Sequence, residues 1–316
     1  MSRDTQLESA GYHKPVMLAE CIEALQINPE GVYVDATFGG GGHSLAILEQ
    51  IKGGQLVAFD QDEDARREAE TIAHRSFTFC HANFMYLKQY LKLSGVTKVD
   101  GILADLGISS HQIDKPERGF STRYDGPLDM RMNKLTKLTA ATIVNEYDES
   151  ELHKILGLFG EIRNAKTVAK SIVQQRIAKP ILRTEDLKSV LSRYAPRGKE
   201  NKYFAQVFQA LRIEVNNEMQ ALESFLHQAG EVLNEGGRLV VMSYHSLEDR
   251  LVKNFIIKGK MYGEAEKDFY GNVLKPFDAV NRKPITASEE ELRINKRARS
   301  AKLRIGVRRG SVSIKK

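Results

Sequence analysis

The chain has 316 residues, 41% of them hydrophobic and 28% charged, with a net charge of +6. These values suit roughly two soluble domains and exclude collagen-like, coiled-coil and wholly disordered chains. No apolar run approaches the ~20 residues of a membrane-spanning helix, and the opening Met1-Ser2-Arg3-Asp4-Thr5 lacks the apolar core of a secretory signal.

In chain order, short apolar runs bounded by glycine or charge predict strands at residues 32–34, 55–59, 77–80 and 99–104. Helices are expected after the first three. Their apolar faces carry Leu45, Ile47, Leu48 and Ile51; then Ala65, Ala69 and Ile72; then Phe84, Leu87, Tyr90 and Leu91. Alternation of this kind predicts right-handed βαβ crossovers and an α/β fold with a doubly wound, mostly parallel sheet. From about residue 149 to residue 195 only helices are expected, with Thr184 read as an N-cap before Leu187, Val190, Leu191 and Tyr194. A long amphipathic stretch then runs from Phe204 to Leu233, as one helix or two, with Gly236-Gly237 stopping it before a strand at residues 238–242. This places an inserted all-α domain at residues 113–205, inside a discontinuous α/β domain of residues 1–112 and 206–316.

Charge is uneven. Residues 281–316 carry twelve basic and three acidic side chains, a local +9 against −3 for the remainder. A solvated tail would explain this, as would a polyanionic partner, whose counterions are released when phosphates are neutralised. The alternation of Leu303, Ile305 and Val307 with cations predicts a strand, so these charges are expected on an ordered surface. The only cysteines, Cys21 and Cys80, are too few for a disulfide framework, a Cys-rich zinc site or an iron–sulfur site. A reducing cytoplasm is the expected location, and both thiols read as core.

The first strand runs into Asp35-Ala36-Thr37-Phe38-Gly39-Gly40-Gly41-Gly42-His43-Ser44, at the sheet edge where open α/β folds bind ligands. Glycines there permit positive φ and close backbone approach, though a tight connection alone would also use them. Asp60 ends the second strand, 18 residues beyond Gly42, in position to accept hydrogen bonds from ribose hydroxyls. Asp105 ends the fourth strand and Phe84 follows the third. An adenosine ligand is therefore expected, and both NAD(P) and S-adenosylmethionine contain one. The loop itself does not choose between them. Asp105-Leu106-Gly107-Ile108-Ser109-Ser110-His111-Gln112 adds an acid, a glycine turn and small polar residues where a methyl acceptor would sit.

Taken together, several motifs resemble one family over residues 12–304. They are His13-Lys14-Pro15-Val16-Met17-Leu18, the glycine loop, Asp105 through Gln112, and Arg118-Gly119-Phe120-Ser121. Further along come Asp125-Gly126-Pro127-Leu128-Asp129-Met130-Arg131-Met132 and Phe208-Gln209-Ala210-Leu211-Arg212-Ile213-Glu214-Val215-Asn216. Ser243-Tyr244-His245-Ser246-Leu247-Glu248-Asp249-Arg250 and Arg297 through Arg304 complete the set. The chain resembles the bacterial 16S ribosomal RNA cytosine-N4 methyltransferase family, called RsmH or MraW. Departures from its usual pattern are Gly40 in place of Arg, His111 and Lys296 in place of Pro, and Lys199-Glu200-Asn201-Lys202-Tyr203-Phe204 in place of a His-Pro-Ala-Thr-Arg-like stretch.

The resemblance implies an S-adenosylmethionine-dependent (Rossmann-like) fold whose inserted helical domain recognises substrate. The implied acceptor is the cytosine at position 1402 in the decoding centre of 16S ribosomal RNA, within the small ribosomal subunit. By position the cofactor contacts fall on Gly41, Gly42, His43, Asp60, Phe84, Asp105 and Gln112. Asp105 is the catalytic candidate, and serving only the cofactor is its alternative role; Ser109 and Ser110 are near it in sequence. No metal is called for, because an activated methyl group needs neither a metal nor a covalent nucleophile. His245 is open between a structural and a substrate role, and Asp129 with Arg131 between an ion pair and RNA contact. Phosphate contacts are expected from the basic tail and from Arg163, Lys166, Lys170, Arg176, Lys179, Arg183, Lys188 and Arg193. Monomer and homodimer both remain open. Three rival readings are a methyltransferase acting on another nucleic acid or a small molecule, an NAD-dependent oxidoreductase, disfavoured because no separate hydride-acceptor constellation is found, and a noncatalytic RNA-binding assembly factor.

Overall fold

The computed structural model describes residues 15–310, and it divides into two compact units. His13, Lys14, the opening pentapeptide, Lys315 and Lys316 lie outside the described residues. One unit comprises the chain through Gly107 together with Gln220 onward; the other is Ile108–Met219.

The first unit is built on a seven-stranded sheet in the order β3-β2-β1-β4-β5-β7-β6. Its strands are β1 Val32–Asp35, β2 Gln55–Asp60, β3 Phe77–His81, β4 Val99–Asp105, β5 Leu233–Ser243, β6 Phe277–Ala279 and β7 Lys302–Arg308. Pairings from β3 through β5 are parallel, and β7 runs antiparallel to both of its neighbours. Leu56, Val57, Ala58 and Phe59 of β2 are all buried, as are Ile102, Leu103 and Ala104 of β4. Parallel strands covered on both faces need such continuous apolar runs, which is why the sequence marks them. Helices α1 Leu18–Leu25, α2 Gly42–Leu48, α3 Glu63–Ala69 and α4 Leu87–Leu93 accompany the first four strands. Strand order reverses beside β1, because β2 lies on one side of it and β4 on the other. The carboxyl ends of β1 and β4 therefore flank the crevice at the switch point.

The second unit contains α5 Ser110–Asp114, α6 Ala140–Glu146, α7 Glu149–Leu158, α8 Ala165–Ala178, α9 Thr184–Leu191 and α10 Glu200–Asn216. Ile143, Leu152, Leu156, Val168, Ile172, Leu187 and Leu191 meet in its core. Its limits differ from the expected 113–205. Helix α10 belongs to it because Val207, Phe208, Leu211 and Val215 bury in that same core. The long amphipathic stretch is two helices, with Asn217 at φ 51° closing α10 before α11 Glu218–Val232 begins. Asparagine tolerates this left-handed turn better than most residues with a side chain.

Two local expectations need correction, and one strand was not foreseen. Thr184 is the first residue of α9 and not its cap: its buried hydroxyl donates to the Tyr124 carbonyl and accepts from the Gly126 N–H. Gly236-Gly237 does not stop the helix, since α11 has ended at Val232 and both glycines lie within β5. They sit where the β4–β5 register shifts between the Val99–Leu233 and Gly101–Arg238 pairs. Strand β6, three residues at the sheet edge, carries no periodicity that could announce it.

The tail strand forms as β7, followed in the first unit by the residues through Gly310 and preceded by α13 Glu289–Ile294. Helix α12 Ser246–Lys258 follows β5 and supplies the tail's main counter-charge. Its Asp249 accepts from Arg304 at 2.6 Å and from Lys302 at 3.4 Å. No helix among the described residues is long and apolar enough to cross a membrane.

Candidate active site

Three acids end three adjacent strands: Asp35 on β1, Asp60 on β2 and Asp105 on β4. Asp35 is fully buried and accepts from the Ser44 hydroxyl at 2.7 Å and the Thr37 N–H at 3.1 Å, which ties the glycine loop to both ends of its own turn. Asp60 accepts from the Gly39 N–H at 2.8 Å and the Asp62 N–H at 2.9 Å, through different oxygens. The backbone N–H of Asp105 donates to the Thr37 hydroxyl at 2.6 Å, and its Oδ1 accepts from the Tyr244 hydroxyl at 2.7 Å. Burial pushes all three carboxyls up, Asp35 and Asp60 to about 6 and Asp105 to about 7. The charge of Asp35 adds to the rise at both of the others. An acid cluster this costly to ionise favours a cationic ligand.

The loop between β1 and α2 is tightly set. Gly41 has φ 79°, and a Cβ there would stand 2.7 Å from Phe38 Cζ; one on Gly42 would stand 2.2 Å from Pro15 Cγ. A side chain at either position would force these neighbours to shift. His43 turns into the fold, where Nε2 lies 3.2 Å from the Val16 carbonyl. Burial lowers its pKa to about 4, so the ring is neutral near pH 7 and donates to that carbonyl. Phe84 opens a 3-10 turn after β3, half-buried, with its ring 5.3 Å from that of Phe225. Gln112 belongs to the helical unit, where its side chain and Ser109 cap α5 reciprocally at 3.0 and 3.2 Å.

The MraW methylase family matches residues 10–309. The chain belongs to that family. It is 62% identical to the "Ribosomal RNA small subunit methyltransferase H" of Cytophaga hutchinsonii over 297 residues, covering 94% of this chain and 99% of that protein. The Flavobacterium psychrophilum protein of the same name is 55% identical over 290 residues, covering 92% and 99%. Among solved structures, an rRNA methylase from Streptococcus thermophilus aligns at 10% identity and TM-score 0.41, covering 95% of this chain and 100% of that one. A putative methyltransferase from Streptococcus mutans in complex with SAH aligns at 12% identity and TM-score 0.42, covering 94% and 99%.

This MraW-family methylase is a methyltransferase, and S-adenosylmethionine is its methyl donor. The acid cluster fits that cofactor, whose sulfonium is the cation that buried carboxylates favour. Each Asp60 oxygen accepts one backbone N–H and, in an ionised carboxylate, retains acceptor capacity for a ribose hydroxyl.

Gly41, Gly42, Asp60 and Asp105 of the methylase thus share one sheet edge, and Phe84 lies one strand further out. His43 adjoins them in sequence but directs its ring at Val16, and Gln112 lies in the other unit. His245 resolves as a helix cap: its Nδ1 accepts from the Glu248 N–H at 3.4 Å, and its Nε2 lies 3.1 Å from Glu248 Oε1. Asp129 and Arg131 form a two-pronged ion pair at 2.8 Å, and the same guanidinium also donates to the Lys134 and Thr136 carbonyls. Sequence reasoning gave no role to Asp35, Thr37 or Tyr244. For the first two the signal was present, an acid and a hydroxyl within two residues of the strand end. Tyr244 stands in a visible motif, but its partner does not show in the sequence, being 139 residues away.

Proposed function

We propose that this chain methylates the exocyclic N4 amine of a cytosine in the decoding centre of 16S ribosomal RNA, acting on the small ribosomal subunit in the cytoplasm. When bound, S-adenosylmethionine supplies an electrophilic methyl group. Asp60 holds the ribose, the glycine loop through Gly41 and Gly42 lies against the cofactor, and Phe84 flanks the adenine. His43 acts through position, packing the start of α2 against Val16.

The observation that carries the reading is Asp105. Its carboxyl lies at the switch-point end of β4, with Oδ1 taken by Tyr244 and, among the described residues, no hydrogen bond to Oδ2. The N4 lone pair is delocalised into the pyrimidine, so the amine is a weak nucleophile. An acceptor for its proton at a fixed position helps by orientation and by general-base catalysis. A carbon-5 methylation would instead need an attacking thiolate. Cys21 and Cys80 are both buried, and burial pushes their pKa values upward, which suits them as core residues.

RNA contact is narrower than charge counting suggests. In the helical unit Lys179, Arg183 and Lys188 pair with Asp186, Asp125 and Glu185, while Arg176 donates to the Val144 and Tyr147 carbonyls. Arg163, Lys166 and Lys170 are exposed at helical spacing, and Arg193 is exposed as well. In the tail Lys302 and Arg304 are held by Asp249, whereas Arg282, Lys283, Arg293, Lys296 and Arg299 are exposed. We assign the phosphate contacts to these exposed groups.

The test is nucleoside mass spectrometry of 16S ribosomal RNA from cells with and without the gene, complemented by wild type or by Asp105→Asn. Loss of one N4-methylated cytidine, restored by wild type and not by Asp105→Asn, is expected. A missing mark on carbon 5, or in another RNA, would overturn the assignment.

A further inference from the structure

Tyr244 belongs to a motif that the sequence singles out, yet the family assignment gives it no task here. It follows the last residue of β5, and its N–H donates to Glu248 Oε2 at 2.9 Å. Its ring lies over the turn after Asp105, so that a Cβ on Gly107 would stand 3.6 Å from Tyr244 Cδ2. Gly107 itself has φ 101°, which admits glycine almost alone. The phenol is thus fixed at two points, by its backbone to α12 and by its ring to the β4 turn, and its hydroxyl reaches Asp105 Oδ1 at 2.7 Å.

We propose that Tyr244 is a positioning residue for methyl transfer, holding Oδ1 of Asp105 so that Oδ2 is the oxygen left to take the amine proton. This rests on the reading of Asp105 given above. An amine that gains a methyl group must lose a proton; Oδ2 accepts it, and Tyr244 keeps its own. Burial and the negative charge of Asp105 push the phenol far above its ordinary range, so it stays a donor. The groups facing Asp105 are Tyr244 after β5, Asp35 on β1, Glu248 on α12 and Cys21 on α1. Of these, Tyr244 alone opposes the upward push of burial, while Asp35 and Glu248 add to it. Without the phenol hydroxyl, Asp105 would hold its proton to higher pH and be less available as an acceptor near neutrality.

The test is Tyr244→Phe, which keeps the ring over Gly107, read by carbon-13 NMR of the aspartate carboxyls in cofactor-free protein. The Asp105 resonance is assigned with Asp105→Asn. Its midpoint should rise by about one pH unit, the scale of a lost hydrogen bond to a charged group. The acid limb of kcat should move with it. Replacing Tyr244 by 3-fluorotyrosine, a stronger donor of nearly the same shape, should move the midpoint down. An Asp105 midpoint identical in wild type and both variants would overturn the proposal. If instead Asp105→Asn still methylates RNA, the role given to Asp105 fails, and Tyr244 with it as a positioning residue. The carboxyl titration tells the two failures apart.

Discussion

Replacing Asp35 by asparagine should stabilise the cofactor-free enzyme, although it alters the turn that carries the glycine loop. Asp35 is 1% exposed, and its carboxyl is pushed from 3.8 to about 6, burial outweighing the hydrogen bonds from Ser44 and Thr37. That is a rise of roughly two units, and at 1.36 kcal/mol per unit the ionised side chain costs about 3 kcal/mol. The sign follows from the direction of the shift. Because the folded value is raised, the folded state holds this proton more tightly than the unfolded chain does. Stability is therefore lost as pH climbs from about 4 through about 6, and the full cost applies above about 7. Asparagine is neutral throughout; its oxygen can accept from Thr37, and the Ser44 hydroxyl can rotate to accept from its amide. The gain should thus be about 3 kcal/mol above pH ~7 and under ~1 kcal/mol near pH ~4. For a unit of this size 1 kcal/mol moves Tm by ~2–4 °C, so a rise of ~6–12 °C is expected in thermal unfolding at the higher pH. An equal Tm change at both pH values, or a variant less stable than wild type above pH ~7, would refute the reasoning.

Gly41→Ala should lower stability by ~1–3 kcal/mol, because φ 79° and the 2.7 Å approach to Phe38 strain any side chain there. Calorimetry should show the same variant losing S-adenosylmethionine affinity, and unchanged binding would mean the loop does not line the pocket. Asp129→Asn should weaken the helical unit by ~1–3 kcal/mol through its half-buried ion pair with Arg131, as read by denaturant unfolding.

The sheet was legible because a strand buried on both faces must be written in unbroken apolar residues, as in Leu56 to Phe59 and Ile102 to Ala104. The acids at the strand ends were legible as a group for the same reason: the strands fix where they stop. Periodicity gave α10 an apolar face but could not say which core that face would meet, so the helical unit was drawn too short. Neither could it show that Asn217 ends a helix, since its left-handed turn leaves no mark on the hydrophobic pattern. The ion pairs of the basic segments were hidden too. Arg304 and Asp249 lie 55 positions apart, and only the fold of β7 beside α12 brings them together.

The crevice is assembled from strands that leave the ribosome far apart in time. Asp105 ends β4, whereas β5, the neighbour that carries Tyr244 at its exit, starts only at Leu233, after residues 106–232 have been synthesised. A nascent chain halted before Leu233 would hold the glycine loop, Asp60 and Asp105 in sequence, yet lack β5, the neighbour of β4, and the phenol that fixes the acid. Loop-closure entropy grows only slowly with length, so the long detour costs little at equilibrium. Its effect falls instead on timing, because β5 can dock beside β4 only after the chain through Ser243 has been made.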